Sequence, residues 1–308
     1  MPLFTYTAWG INPSTNFDPN YTFVRSHFVS PLVLASIRLT LCIYIFTSIT
    51  TSYIWLTHNT ATIHLKDFNI SPYIFQQSKA ATTQSFSYFT YLTFYSLGFY
   101  FLVSSIHTFR YAFRQWTWLH SWPRYLQLAH SLYYSTITTF PILVTVVFWG
   151  TMNSGWPVGR FEQWVNISVH GLNSIFAVTE LMLSATAPPP VTHLSFLLLV
   201  LSGYLGLAYL TQYTQGFYVY EWMNPAHGVA SILLHVVGYA GGMVIIFFLV
   251  RYAIVGRNAL AKKVAGESVG EGEKALHLDD ESEVWSGGEV QIARPKQART
   301  VLRYSNRV

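Results

Sequence analysis

Apolar residues dominate six stretches of this chain: 31–55, 86–110, 127–150, 164–184, 193–212 and 228–253. Each is close to the ~20 residues that a helix needs to cross a hydrocarbon core of about 30 Å. The second and third are rich in Ser, Thr and Tyr, whose hydroxyls bond to their own helix inside a bilayer. The pattern predicts an all-α fold, a polytopic membrane helix bundle of about six transmembrane helices over 31–253. A segment of about 30 residues, 1–30, precedes it. After Arg251 the pattern ends: 254–308 holds "GESVGEGEKALHLDDESE" and then Arg294, Lys296, Arg299, Arg303 and Arg307. Such a tail cannot bury enough apolar surface to fold and reads as disordered. No inverted repeat of the transporter kind is visible.

The fourth stretch, "WVNISVHGLNSIFAVTELMLS" from Trp164 to Ser184, carries Asn166, His170, Asn173 and Glu180. Their steps of 4, 3 and 7 keep returning to one helical face. A polar stripe in an apolar helix belongs against the bundle interior or a wet cavity, because an ionisable group facing lipid is costly. Interhelical hydrogen bonding is the competing role for each of these residues.

Composition agrees with the pattern. The 308 residues are 51% hydrophobic, 17% aromatic and 10% charged, against about 25% charged in an ordinary soluble domain. Mean hydropathy is only +0.31, lowered by 21 Tyr and 10 Trp, which favour the membrane interface. Cys42 stands alone, which excludes an intrachain disulfide and a Cys-based metal site. His170, His227 and His235 lack the spacing and the carboxylate partner of a zinc ligand set, so no metal is expected. The net charge of +5 carries no nucleic-acid signal, since most basic residues flank apolar segments and report topology.

Arg110, Arg114 and Arg124 mark the second connection, and Arg251, Arg257, Lys262 and Lys263 the C-terminal flank. Lys66 and Lys79 lie in the first connection and Arg160 in the third. The balance places both termini in the cytosol. Asn69-Ile-Ser71 is then a candidate glycosylation acceptor on the lumenal side. With this orientation Thr93, His170 and His235 each lie roughly 10 Å below the lumenal face, on three separate helices. Glu180 is ten residues past His170, about 15 Å further along the axis, and belongs to the cytosolic side as a structural residue. Asn166 and Asn173, one turn either side of His170, are placed to support its ring.

Three motifs resemble one membrane family: "TYLTFYSLGFYF" (Thr90–Phe101), "NISVHGLNSIFAVTELML" (Asn166–Leu183) and "YLTQYTQGFYVYEWMNP" (Tyr209–Pro225). The family is that of the androgen-induced and androgen-dependent TFPI-regulating membrane proteins, threonine hydrolases of fatty acid esters of hydroxy fatty acids. The resemblance covers about 90–253, with Thr90, Tyr218 and Glu221 standing where the family has Lys, Trp and Pro. It implies a hydrolase in the endoplasmic reticulum or another endomembrane, with no cofactor and a lipid substrate inside the bilayer. The family nucleophile falls on Thr93 and its His partner on His170. A threonine hydroxyl needs such a base within reach. Asn166, Asn173, Phe94, Phe217, Tyr218, Tyr220 and His235 become candidate substrate-binding residues, with interfacial anchoring the other role of the aromatics. A transporter or channel lined by the stripe, with Glu180 and His193 continuing the path, and a non-catalytic scaffold are the alternatives.

Overall fold

A computed structural model describes residues 5–12, 17–58, 63–64, 74–75, 84–152, 155 and 159–283. The helices are α1 (Pro31–His58), α2 (Phe89–Arg114), α3 (Arg124–Val147), α4 (Arg160–Ile167), α5 (Asn173–Leu183), α6 (Thr192–Gln215) and α7 (Val229–Glu283). Strands Ile63–His64 and Ile74–Phe75 pair antiparallel. The chain divides into two units, Met1–Ala261 and Lys262–Val308, and the bundle belongs to the first. The fold is all-α, with the architecture of a multi-pass membrane protein. Asn69, Lys66, Lys79 and the basic end of the tail lie outside the described residues.

Among the described residues five spans are long and apolar enough to cross a bilayer: Pro31–Trp55, Phe89–Arg114, Arg124–Met152, Thr192–Gln215 and Val229–Gly266. The fourth expected helix differs. It begins at Arg160 and is built from α4 and α5, joined by a π-helical turn at Ser168–Leu172. The π turn divides it into helices of 8 and 11 residues, so it is not among the five spans. The last helix also outruns the expected end at 253, continuing to Glu283.

Local sequence sets the helix ends. Pro31 opens α1 after Ser30, whose backbone carbonyl accepts from Leu34 N–H at 3.0 Å. A Pro at the first helical position lacks only a donor that would have been unpaired there. Gly216 stops α6 at φ 77°, with its N–H on Gln212 O, the left-handed ending that glycine adopts without strain.

Side-chain contacts give the helix directions. Asn173 meets Thr93, and Glu180 meets Tyr100. Equal seven-residue steps mean that α2 and the α4–α5 pass run the same way. Arg38 meets Glu180 while Tyr44 meets Ser168, so α1 runs against them. Thr145 meets Ser174 while Tyr134 meets Ser184, so α3 does too. The core at the centre is apolar, with Ile45, Phe94, Leu97, Phe101, Phe140 and Phe247 among its buried residues. Residues of 1–30 close the end where Arg114 lies: Tyr21 stacks on His120, and Trp9 on His193.

Candidate active site on the α4–α5 pass

Thr93 sits one turn into α2, 5% exposed. Its hydroxyl donates to the Thr90 carbonyl at 2.8 Å and accepts from Asn173 Nδ2 at 3.2 Å. Asn173 is completely buried and opens α5 directly after the π turn. That turn carries His170, and π turns inside helices are frequent at functional sites. The wide turn needs support. Thr145 on α3 donates to the His170 carbonyl at 2.5 Å and lies 2.6 Å from Ser174 Oγ. Ser174 in turn donates to the carbonyl of Pro141 at 2.8 Å. The imidazole stacks on Phe148, centroids 3.4 Å apart and planes 7° off parallel. Phe148 opens a second π turn, Phe148–Met152. The two irregular turns therefore face one another across the ring.

The stripe differs from its expected arrangement in one respect. Asn173 binds Thr93 rather than the ring of His170, and Phe148 does the orienting by stacking. Among the described residues no hydrogen bond joins Thr93 to His170. His170 Nδ1, Asn166 Oδ1 and Asn173 Oδ1 are buried with no hydrogen-bond partner. Seven side-chain atoms share that condition among the described residues, and three of the seven lie within 166–173. A buried polar atom without a partner costs about 1–3 kcal/mol.

The lower stripe is closed. Arg38, which the sequence pattern had not singled out, grips Glu180 through both carboxylate oxygens, Nε to Oε2 at 2.9 Å and Nη2 to Oε1 at 2.5 Å. Tyr100 donates to Glu180 at 3.0 Å, and Arg38 also donates to Thr108 and to the Phe23 carbonyl. Arg38 is 0% and Glu180 2% exposed. Its sequence signal was a lone cation in an uncharged apolar run, which in a bilayer calls for an opposite charge elsewhere in the bundle. His193 is likewise fully engaged, with Ser135 Oγ at 2.7 Å and Trp9 O at 3.3 Å.

The remaining candidates fall in two places. Phe94 is 0% exposed in the main core. Phe217, Tyr218 and Tyr220 pack around Val219 and Met223 in the α6–α7 connection, where burial pushes the Tyr220 hydroxyl up to about 12. His235 stacks on Trp222 at 5.0 Å and 8°, and its Nδ1 lies 2.8 Å from the Ser231 carbonyl. It borders a cavity of about 260 Å3 with Thr151, Glu221, Trp222, His227 and Tyr239. His227 Nε2 is 2.6 Å from Glu221 Oε1. No three His, Cys, Asp or Glu side chains gather as a metal requires among the described residues.

The fold and site define a polytopic helix bundle with a buried polar face. Comparison of the chain with protein-family models, curated proteins and solved structures finds no match.

Proposed function

We propose that this protein is an integral membrane lipid ester hydrolase in which Thr93 is the nucleophile and His170 the base. The observation that carries the reading is the set of unpartnered acceptors on the α4–α5 face, His170 Nδ1 foremost, beside a buried threonine hydroxyl. Resemblance of three motifs to the androgen-induced and TFPI-regulating family supports the same two residues. The π turn under His170 supports it as well. So does the Arg38–Glu180 pair: a transport path along the stripe would have to break it, whereas a one-sided pocket leaves it intact.

Chemistry follows from the atoms. Thr93 Oγ turns its proton from the Thr90 carbonyl to His170 as it attacks the ester carbon. The carbonyl oxygen gains negative charge, and Asn173 Nδ2, already next to Thr93 Oγ, is the donor at hand for it. The C–O bond to the alcohol breaks, and His170 returns its proton to the departing oxygen. Water then adds to the acyl-threonine with the same base, releasing a fatty acid and restoring the hydroxyl. A buried site inside the bundle suits esters dissolved in the bilayer, with both termini cytosolic, in an endomembrane. Purified protein is expected to hydrolyse a fluorogenic long-chain acyl ester. Thr93→Ala is expected to fall to background and His170→Ala about 10²–10⁴-fold. Undiminished turnover by Thr93→Ala sinks the assignment.

A further inference from the structure

The cavity of about 260 Å3 beside α7 takes no part in those steps. It is close in size to the smaller ligand pockets of about 300 Å3, and one π turn links it to the proposed site. Phe148, at the start of that turn, stacks on His170. Thr151 and Met152, at its end, line the cavity.

Its polar lining selects a ligand. Trp222 Nε1–H is buried without a partner and is a free donor. His235 Nδ1 faces the Ser231 carbonyl, which only accepts, so the ring proton is there. In the neutral ring Nε2 is then an acceptor. The two rings are stacked, so a donor and an acceptor border the cavity from adjacent planes. Thr151 and Ser231 add hydroxyl-bearing residues to the wall. Glu221 already engages His227, and no Lys or Arg is among the described lining residues. A phosphate or free carboxylate would enter beside a carboxylate with no cation of its own. A hydroxyl group gives and takes a hydrogen bond, and the C–H faces of a polyol pack on aromatic rings.

We propose that this cavity is the head-group site for a neutral, hydroxyl-bearing lipid. Its hydroxyls are held by Trp222 and His235, and, on the hydrolase reading above, the ester bond extends past Phe148 to Thr93. The first half concerns binding alone, which allows the two to be tested apart.

The probe is radiolabelled 1-O-hexadecylglycerol, an ether that cannot be hydrolysed, titrated against the purified full chain. Saturable binding is expected, weakened about five- to tenfold in Trp222→Phe, the weight of one neutral hydrogen bond. His235→Phe, which keeps the ring stack and removes the acceptor, is expected to weaken it similarly. Equal displacement by palmitate, absence of saturable binding, or wild-type affinity in both ring variants overturns the proposal. Thermal unfolding midpoints within the wild-type range qualify each variant. Ether binding without any ester hydrolysis removes the hydrolase reading and keeps the head-group site. Thr93-dependent hydrolysis without ether binding does the reverse.

Discussion

Thr93 has two neighbours with opposite effects on its oxygen. Thr90 takes the hydroxyl proton, while the Asn173 amide donates to the same atom. In the proposed reaction the charge develops on the ester carbonyl oxygen, to which the Asn173 amide would turn, and loss of one such donor costs about 10²–10³ in kcat. Asn173→Ala is expected to fall by about that factor with little change in KM. Asn173→Asp, which only accepts at neutral pH, should do no better; steady-state kinetics on the purified variants check both. This residue scale was partly legible in the sequence. The stripe picked out Asn166, His170 and Asn173 by period alone. Which of them would meet Thr93 was hidden, because a π turn shifts every later residue around the helix by an amount that no apolar pattern records.

Two elements, α1 and α2, pack against each other at Gly98. A Cβ at Gly98 would lie 2.8 Å from Ile45 Cγ2. That methyl is fixed by its own branched carbon and has little room to yield. Gly98→Ala is expected to destabilise the bundle by about 1–3 kcal/mol through overpacking, seen as a lowered unfolding midpoint in detergent. Ile45→Ala in the same chain is expected to recover part of the loss. The other irregular elements share a logic. Pro141, the Phe148–Met152 turn and the Ser168–Leu172 turn all leave backbone groups short of regular partners. Thr145 and Ser174 donate to two carbonyls of these regions, His170 O and Pro141 O. Element existence could be read from hydropathy; the π turns could not, since Ser, Gly and Asn within 168–173 suit an ordinary helix nearly as well.

At the scale of the whole molecule the Arg38–Glu180 pair joins α1 to α5, with Tyr100 and Thr108 of α2 and Phe23 of the N-terminal segment completing it. Removing one partner leaves a buried charge, so Arg38→Met or Glu180→Leu alone is expected to cost about 3–5 kcal/mol. The double variant should recover most of it, because well-packed apolar replacements of a buried pair are close to neutral; unfolding midpoints of the three chains decide. Arg251 and Arg257 carry a second lesson. By sequence they report topology, yet Arg251 donates to the Pro189 carbonyl and Arg257 to those of Leu181 and Thr186. The helix α5 ends at Leu183, and these cations donate to one carbonyl of its last turn, Leu181 O, and to two in the stretch that follows, Thr186 O and Pro189 O. Nearby, burial first and Arg257 next hold His27 below its usual pKa of 6.5. A His whose folded pKa is depressed favours the folded state above 6.5 and loses that contribution as pH falls through it. His27→Asn should flatten the fall of the unfolding midpoint on the acid side of 6.5.

The central claim is that Thr93 is acylated during turnover. An alkyl fluorophosphonate reacts only with an activated hydroxyl, so its adduct on the purified protein, located by peptide mass spectrometry, is the most direct test. The expected result is one adduct on the peptide containing Thr93, absent from Thr93→Ala and strongly reduced in His170→Ala. Full labelling of Thr93→Ala, or an adduct on a different hydroxyl, contradicts the claim.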